Sequence, residues 1–165
     1  MDLGIKDKVV LITAASKGIG KAAADYFASE GSKVTICSRN KDTLIQTAEE
    51  LTQKNNNEVF WVVCDLNDLN DIKNTVSVAQ ERFGRIDILI NNCGGPPSGY
   101  FEEFNEEDWD LAYRQILLSV VRLNNLVIPL MKKQKWGRIV NVTSVAVKQP
   151  IDNLILSNAF RAGVI

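Results

Sequence analysis

Two kinds of hydrophobic pattern alternate along the chain. Short, nearly continuous apolar runs are typical of strands buried on both faces of a sheet, and they cover residues 8–13, 33–37, 58–64, 86–90 and 138–143. Between these runs, apolar residues recur at three- and four-residue spacing, which indicates helices at 19–30, 42–54, 69–83, 106–134 and from 157 onward. The alternation predicts an α/β fold, a doubly wound parallel sheet between two layers of helices, with strand order 3-2-1-4-5.

These elements are expected to form a single Rossmann-type domain over residues 1–165, with three αβα layers. A complete doubly wound fold of this kind has a sixth strand. Because the pattern stops as the helix at residue 157 begins, we expect the fold to be truncated after its fifth strand. A longer protein and a truncated gene product are both compatible with this pattern.

A segment with two glycines, Thr13-Ala-Ala-Ser-Lys-Gly-Ile-Gly20, lies between the first predicted strand and the first predicted helix. Two glycines would let a pyrophosphate approach the backbone, and the free N–H groups of the helix N-terminus attract its negative charge. Glycines in such a turn can also serve structure alone. The position of the segment favours a dinucleotide site, predicted to include Ala15, Ser16, Lys17, Gly18, Ile19 and Gly20.

Four motifs, in order and spacing, resemble those of the short-chain dehydrogenase/reductase superfamily. The glycine segment resembles its TGxxxGxG loop, with Ala14 at the first glycine. Cys64-Asp-Leu66 resembles the acidic position that contacts adenine, and Asn91-Asn-Cys-Gly94 resembles the NNAG motif. Residues 137–144, GRIVNVTS, resemble the fifth strand, which ends in the catalytic serine.

This resemblance implies cofactor contacts beyond the glycine loop, at Asp65, Leu66, Asn92, Cys93 and Gly94. Within the superfamily, the chain is most similar to members that resemble 3-oxoacyl-acyl-carrier-protein reductases. It looks like a divergent branch of them, which has GGPP after the fourth strand and SNAxR after the fifth, here residues 94–97 and 157–161. The implied substrate is a small carbonyl or alcohol compound.

The end of the second predicted strand bears on the choice of cofactor. A protein selective for NAD(H) usually places a carboxylate about 20 residues after the glycine loop, where it holds the ribose 2′-hydroxyl. Here Ser38-Arg39 occupies that place. Arg39 could bind a 2′-phosphate through two donors, and Lys17 could add a second positive charge. We therefore expect NADP(H) rather than NAD(H).

The catalytic tetrad that the resemblance implies is degenerate here. Its serine is Ser144, but its tyrosine position falls at Ser157, its lysine position at Arg161 and its asparagine position near Ile116. A serine hydroxyl is a far weaker acid than a phenol, and an arginine stays charged at any relevant pH. We assign the catalytic site to Ser144, Ser157 and Arg161.

Three functions are compatible with this departure from the expected catalytic tetrad. The protein could be an oxidoreductase in which water or Tyr100 delivers the proton. It could bind NADP(H), catalyse little and serve as a structural or regulatory subunit. It could also be an interaction protein that has lost the cofactor, although the retained motif residues, above all Gly18, Arg39 and Asp65, count against this alternative.

Composition narrows the remaining possibilities. The net charge of −1 gives no general attraction to nucleic acid or to an anionic membrane, and no apolar run reaches membrane-spanning length. The chain contains no histidine, which excludes Ser-His-Asp catalysis and histidine-bound metals, and its three cysteines form no CxxC pair. No metal site is therefore expected.

The cysteine usage and an N-terminus without an apolar leader predict a cytoplasmic protein. The apolar residues of the helix at 106–134 cover more than one face, which predicts a homodimer or homotetramer.

Overall fold

The computed structural model of the chain describes residues 3–165. In this part of the chain one sheet contains β1 (Val9–Thr13), β2 (Lys33–Ser38), β3 (Val59–Val63), β4 (Ile88–Asn91) and β5 (Arg138–Asn141). The α-helices are α1 (Gly18–Ser29), α2 (Lys41–Asn55), α3 (Leu69–Phe83), α4 (Glu106–Ala112), α5 (Ser119–Lys133) and α6 (Ile155–Ala162). Over residues 3–165, none of the helices is both long and apolar enough to span a bilayer.

The sheet has the predicted order, β3-β2-β1-β4-β5, and each neighbouring pair is parallel. Every residue of β1 is buried because this strand lies in the middle of the sheet under both helical layers. Val10 and Ile12 pack in one cluster with residues of α1 and α2. Leu11 points to the opposite face and packs in a second cluster with residues of α3 and α5. The Rossmann-type three-layer fold is therefore confirmed.

The helix ends follow local sequence signals. Asn40 accepts a hydrogen bond from the N–H group of Thr43 at the start of α2, and Asp68 caps α3 in the same manner. Gly84 ends α3 in the left-handed conformation, with φ of 76°. Most predicted boundaries differ from the structure by one or two residues. β5 ends at Asn141 rather than at residue 143, and α6 begins at Ile155 rather than at residue 157.

The long helix predicted at 106–134 is continuous but not uniform. Between α4 and α5, residues Tyr113–Leu118 form a π-helical segment, and we use "the long helix" for all of 106–133. Segments of this kind are rare and occur often beside functional sites. The segment contains Ile116, which packs with Ala112 and Leu156 and so joins the long helix to α6.

Candidate functional site

A cleft of about 510 Å³ opens at the carboxyl edge of the sheet, where ligands of doubly wound folds bind. It is lined by Ala14, Ser16, Lys17, Ile19, Ser38, Arg39, Asn40, Thr43, Cys64, Asp65, Leu66, Asn67, Asn92, Cys93, Gly94 and Gln115. Three of the predicted cofactor residues, Ala15, Gly18 and Gly20, belong to the glycine loop but do not line the cleft themselves. The others all do, so three of the four motifs, the glycine loop, Cys64-Asp-Leu66 and Asn91-Asn-Cys-Gly94, meet at one cleft, whereas residues 137–144 do not line it.

The glycine loop carries two left-handed residues, Ala14 with φ of 48° and Gly18 with φ of 59°. A side chain at Gly20 would have no space. Its Cβ atom would lie 2.7 Å from the carbonyl oxygen of Ala14 and 2.9 Å from Nδ2 of Asn92. Lys17, the N-cap of α1, makes no side-chain capping hydrogen bond. The first N–H groups of α1 are therefore left to bind an anion in the cleft.

Reciprocal hydrogen bonds join the glycine loop to the end of β4. The Thr13 hydroxyl donates to the carbonyl oxygen of Asn92 at 2.6 Å and accepts from its N–H group at 2.9 Å. In return, Nδ2 of Asn92 donates to the carbonyl oxygens of Thr13 at 3.2 Å and Ala14 at 3.1 Å. We call this set of bonds the Thr13–Asn92 interlock. It fixes the shape of the loop from the neighbouring strand.

The end of β2 is positively charged. Lys17 and Arg39 are exposed, line the cleft, and form no salt bridge with any residue in the range 3–165. The hydroxyl of Ser38 lies beside them, is buried and has no hydrogen-bond partner. No carboxylate lies at this strand end. Lys17, Arg39 and the Ser38 hydroxyl can therefore bind a doubly charged anion and form two further hydrogen bonds with it.

Opposite this end, the loop after β3 is held by a small polar network. Oδ1 of Asp65 accepts from the backbone N–H and the side-chain amide of Asn67, both at 2.9 Å. The N–H group of Asp65 donates to Asp71 at 2.8 Å. Arg122 of α5 reaches across and donates to the carbonyl oxygen of Asn67 at 3.0 Å. Asp65 and Leu66 are thereby presented on the wall of the cleft.

The predicted catalytic serines lie on the segments that follow β5. Ser144 is half-buried, and its Oγ accepts a hydrogen bond from the N–H group of Ala146 at 3.1 Å, which leaves its own proton free to be donated. Ser157 lies in the first turn of α6 and is buried. Ile116 is 1% exposed and contributes only apolar surface. Neither serine lines the cleft, so the structure does not bring them into contact with the cofactor residues.

Arg161 is only 8% exposed, yet its guanidinium forms no salt bridge with any carboxylate of residues 3–165. It donates to the carbonyl oxygen of Val142 at 3.2 Å and, more weakly, to that of Gly94 at 3.5 Å. It also borders a second space, which we call the inner cavity, of about 10 Å³. The inner cavity is lined by Thr13, Asn91, Asn92, Cys93, Ile116, Ser119, Val120, Leu123, Asn141, Val142, Thr143, Arg161 and Val164.

Some contacts of the site were not predicted from the sequence, although Cys93 itself was a predicted cofactor residue. Cys93 and Arg161 both line the inner cavity; burial raises the pKa of the Cys93 thiol, and Arg161 opposes that rise. Arg122 was missed because its contact is with a distant loop, and no local pattern marks it.

Tyr100, considered as a proton donor, is 54% exposed and lines neither the cleft nor the inner cavity. Within residues 3–165, no group of three or more His, Cys, Asp or Glu side chains could hold a metal ion.

A doubly wound sheet with a glycine loop and a cleft at its carboxyl edge defines a nucleotide-binding α/β protein. The family model described as short chain dehydrogenase matches residues 8–165. The chain therefore belongs to the short-chain dehydrogenase family.

Known relatives agree with this family. The chain is 40% identical over 144 residues to the 3-oxoacyl-[acyl-carrier-protein] reductase FabG of Thermotoga maritima, a match that covers 86% of this chain and 57% of the relative. Among solved structures, it is similar to L-sorbose reductase from Gluconobacter frateurii complexed with NADPH and L-sorbose. That match has a TM-score of 0.96, 31% identity, and coverage of 99% of this chain and 62% of the reductase. An actinorhodin polyketide ketoreductase with NADPH gives a TM-score of 0.91 at 32% identity, with coverage of 96% and 61%. The chain thus spans roughly three fifths of the length of these relatives.

Proposed function

We propose that this chain binds NADP(H) in the cleft and acts as an NADP(H)-dependent oxidoreductase on a carbonyl or alcohol substrate, in the manner of a 3-oxoacyl-thioester reductase. The observation that carries the proposal is the pair of unpaired cations, Lys17 and Arg39, at a strand end without a carboxylate. A 2′-phosphate would find two positive charges there, whereas a carboxylate would have repelled it.

The residues of the cleft suit the rest of the dinucleotide. The pyrophosphate would meet the N-terminus of α1, the glycine loop and Lys17, and the adenine would lie against Asp65 and Leu66. The nicotinamide end would reach Asn92, Cys93 and Gly94. When bound, the cofactor supplies a hydride; Ser144, Ser157 and Arg161 are proposed to bind the carbonyl oxygen. The names of the relatives support this class of chemistry, since they include a 3-oxoacyl reductase and two NADPH complexes.

A second candidate function is NADP(H) binding with little or no catalysis, in a structural or regulatory role. Two observations favour it. Ile116 offers no hydrogen bond where the superfamily is expected to have an asparagine, and the Arg161 guanidinium is already engaged by main-chain carbonyl groups. These features affect the catalytic side of the site and leave the cleft intact.

We further propose that the protein is a cytoplasmic homodimer or homotetramer that pairs through the long helix. Leu111, Val121 and Ile128 of this helix are exposed apolar residues, which favours a covered face. The three cysteines are free thiols, as is usual in a reducing compartment. Light scattering on the purified protein measures the oligomeric state.

The first experiment is a titration of the purified protein with NADPH and NADH by calorimetry. We expect preferential binding of NADPH. Arg39→Asp should weaken NADPH binding by at least about tenfold, because a charged hydrogen bond is lost, and should change NADH binding by less than about threefold. Lys41→Asp is the matched control, since Lys41 is a nearby cation that does not line the cleft. Equal losses for both nucleotides in Arg39→Asp would contradict the 2′-phosphate assignment, and binding of neither nucleotide by the unaltered protein would contradict the proposed function.

A further inference from the structure

Cys93 stands between the two spaces of the site. It lines the cleft on one side and the inner cavity on the other. It is half-buried, whereas Cys37 and Cys64 are 0% and 2% exposed. Cys64 also lines the cleft, but it is almost fully buried, so Cys93 is the most accessible of the three thiols from the cleft. The superfamily motif that this segment resembles has an alanine at the same position.

The charge next to Cys93 is unbalanced. Arg161 is the charged residue among those that line the inner cavity, and its hydrogen bonds go to main-chain carbonyl groups rather than to a carboxylate. From the cleft side, the charged residues are Lys17, Arg39 and Asp65. A buried cation without a negative partner is costly. A thiolate at Cys93 would supply that partner.

An open hydrogen-bond acceptor faces the same cavity. Asn91 is 3% exposed, and its side-chain oxygen has no hydrogen-bond partner among the described residues, 3–165. Its amide group donates to the side-chain oxygens of Asn124 at 3.0 Å and Asn141 at 2.8 Å, so the side chain cannot simply be reversed. A cavity of about 10 Å³ has space for roughly one water molecule. A water bound at Asn91 would lie beside Cys93 and could carry a proton to it.

We infer that Cys93 is the proton donor of this site and that Arg161 stabilises the thiolate left after the transfer. The inference rests on the proposed oxidoreductase function. During reduction, the substrate carbon accepts a hydride from the bound nicotinamide, and the substrate oxygen accepts the proton of the Cys93 thiol. The products are the alcohol, the oxidised nucleotide and a thiolate beside Arg161. A proton from solvent then restores the thiol.

Acidity and position both favour this assignment over the alternatives. A thiol is intrinsically a stronger acid than the phenol of a tyrosine and a far stronger one than a serine hydroxyl. Burial raises the pKa of Cys93, so the thiol stays protonated at neutral pH, which is the form that a donor needs. The positive charge of Arg161 lowers the pKa of the Cys93 thiol and so makes release of its proton less costly. Tyr100, by contrast, borders neither the cleft nor the inner cavity.

The first test measures the thiol without any turnover. The rate of alkylation of Cys93 by iodoacetamide is followed from pH 6 to pH 10 by mass spectrometry of peptides, with Cys37 and Cys64 as internal buried controls. Arg161→Lys keeps the charge and should stay within about threefold of the unaltered protein. Arg161→Gln should react about tenfold more slowly at pH 8, because losing an adjacent opposite charge raises the pKa of the thiol by about one unit or more. Thermal unfolding confirms that both variants are folded. An unchanged rate in Arg161→Gln would overturn the role given to Arg161.

The second test measures the reaction. NADPH consumption is followed with acetoacetyl-CoA and L-sorbose as carbonyl probes. Cys93→Ala should lower kcat by about a hundredfold or more, as expected for loss of a general acid, while the Kd for NADPH changes less than about threefold. Cys93→Ser should retain intermediate activity at most. Undiminished turnover in Cys93→Ala would overturn the proton-donor role. If the unaltered protein binds NADPH but reduces neither probe, the proposed oxidoreductase function itself fails, so the two failures are distinguishable.

Discussion

The two sides of the carboxyl edge of the sheet differ in how their residues are held. On the cofactor side, the glycine loop and the end of β4 are fastened to each other through backbone groups by the Thr13–Asn92 interlock. On the catalytic side, the proposed groups are the side chains of Ser144, Ser157 and Arg161, which follow β5, and of Cys93, which follows β4. The first side retains the sequence motifs of its family almost completely. The second retains only Ser144 of the expected tetrad.

This difference follows from the type of interaction on each side. Binding of a pyrophosphate relies on N–H groups and on close approach of the backbone, so a side chain in the wrong place blocks the site. Proton transfer relies on the acidity of a side chain, and different residues can supply it if neighbouring charges adjust its pKa. The fold therefore constrains the glycine loop strongly and leaves the chemistry beyond β5 open to change.

The largest effect that would test this contrast is expected from Gly20→Ala. The new methyl group would meet the carbonyl oxygen of Ala14 at 2.7 Å and the Cα atom of Ala15 at 2.8 Å. The first of these is an acceptor of the interlock, and the N–H group of Ala15 donates to the carbonyl oxygen of Cys37, so both backbone positions are held by hydrogen bonds. We expect NADPH binding to weaken by at least about thirtyfold and the free energy of unfolding to fall by about 1–3 kcal/mol. Calorimetry and urea unfolding measure the two quantities.

Gly95→Ala is the matched control for this variant. A Cβ atom at Gly95 would have no neighbour within 4 Å, and its backbone is not left-handed. This variant should bind and unfold like the unaltered protein. If Gly20→Ala also bound NADPH and unfolded like the unaltered protein, the glycine loop would tolerate a side chain at this position. That result would contradict the strong constraint on the loop.

A smaller effect is expected from Arg122→Gln, on the cofactor side. Arg122 lies on the long helix and supports the loop after β3 through its hydrogen bond to Asn67. Loss of this bond should raise the Kd for NADPH about fivefold, the equivalent of about 1 kcal/mol. Arg114→Gln, on the same helix, removes an exposed ion pair with Asp110 and should leave the Kd unchanged. Equal Kd values for both variants would mean that the adenine wall is independent of the long helix.

The smallest effect is expected from Ala14→Gly. Ala14 adopts a φ of 48°, in the left-handed region where a Cβ atom is unfavourable, and the related loops of the superfamily are expected to have glycine there. Relief of this strain should raise the free energy of unfolding by about 0.5–1 kcal/mol, partly offset by the greater flexibility of glycine in the unfolded chain. Urea unfolding measures the change. A loss of stability would mean that contacts of the Ala14 methyl group outweigh the strain.

The sequence predicted the fold well because each element carried a strong periodic pattern and a clear end signal. α3 was predicted with the boundaries that the structure shows, since Asp68 and Gly84 mark its two ends. The π-helical segment was not predicted, because Tyr113–Leu118 shows the same apolar spacing as the helix around it. Its presence depends on packing against α6.

The candidate site was predictable where recognition depends on motifs and unpredictable where it depends on tertiary contact. Three of the four motifs converge on one cleft, and the fourth, at residues 137–144, lies outside it. Cys93 and Arg161 line the same inner cavity although they are 68 positions apart in the sequence, and no local pattern indicates this. The open amide oxygen of Asn91 is likewise a property of packing, because the two residues to which its amide nitrogen donates, Asn124 and Asn141, lie on two other elements, α5 and β5.

The Thr13–Asn92 interlock also has a consequence for the order of folding. Its hydrogen bonds close a loop of the chain with a sequence separation of 79 residues, and closing a long loop costs entropy before any contact compensates for it. The glycine loop can therefore reach its binding shape only after β4 has joined β1. A nucleotide that binds this shape stabilises the whole assembled region from β1 to β4, in proportion to the logarithm of its concentration. Binding of the nucleotide is therefore evidence that the Thr13–Asn92 interlock has formed.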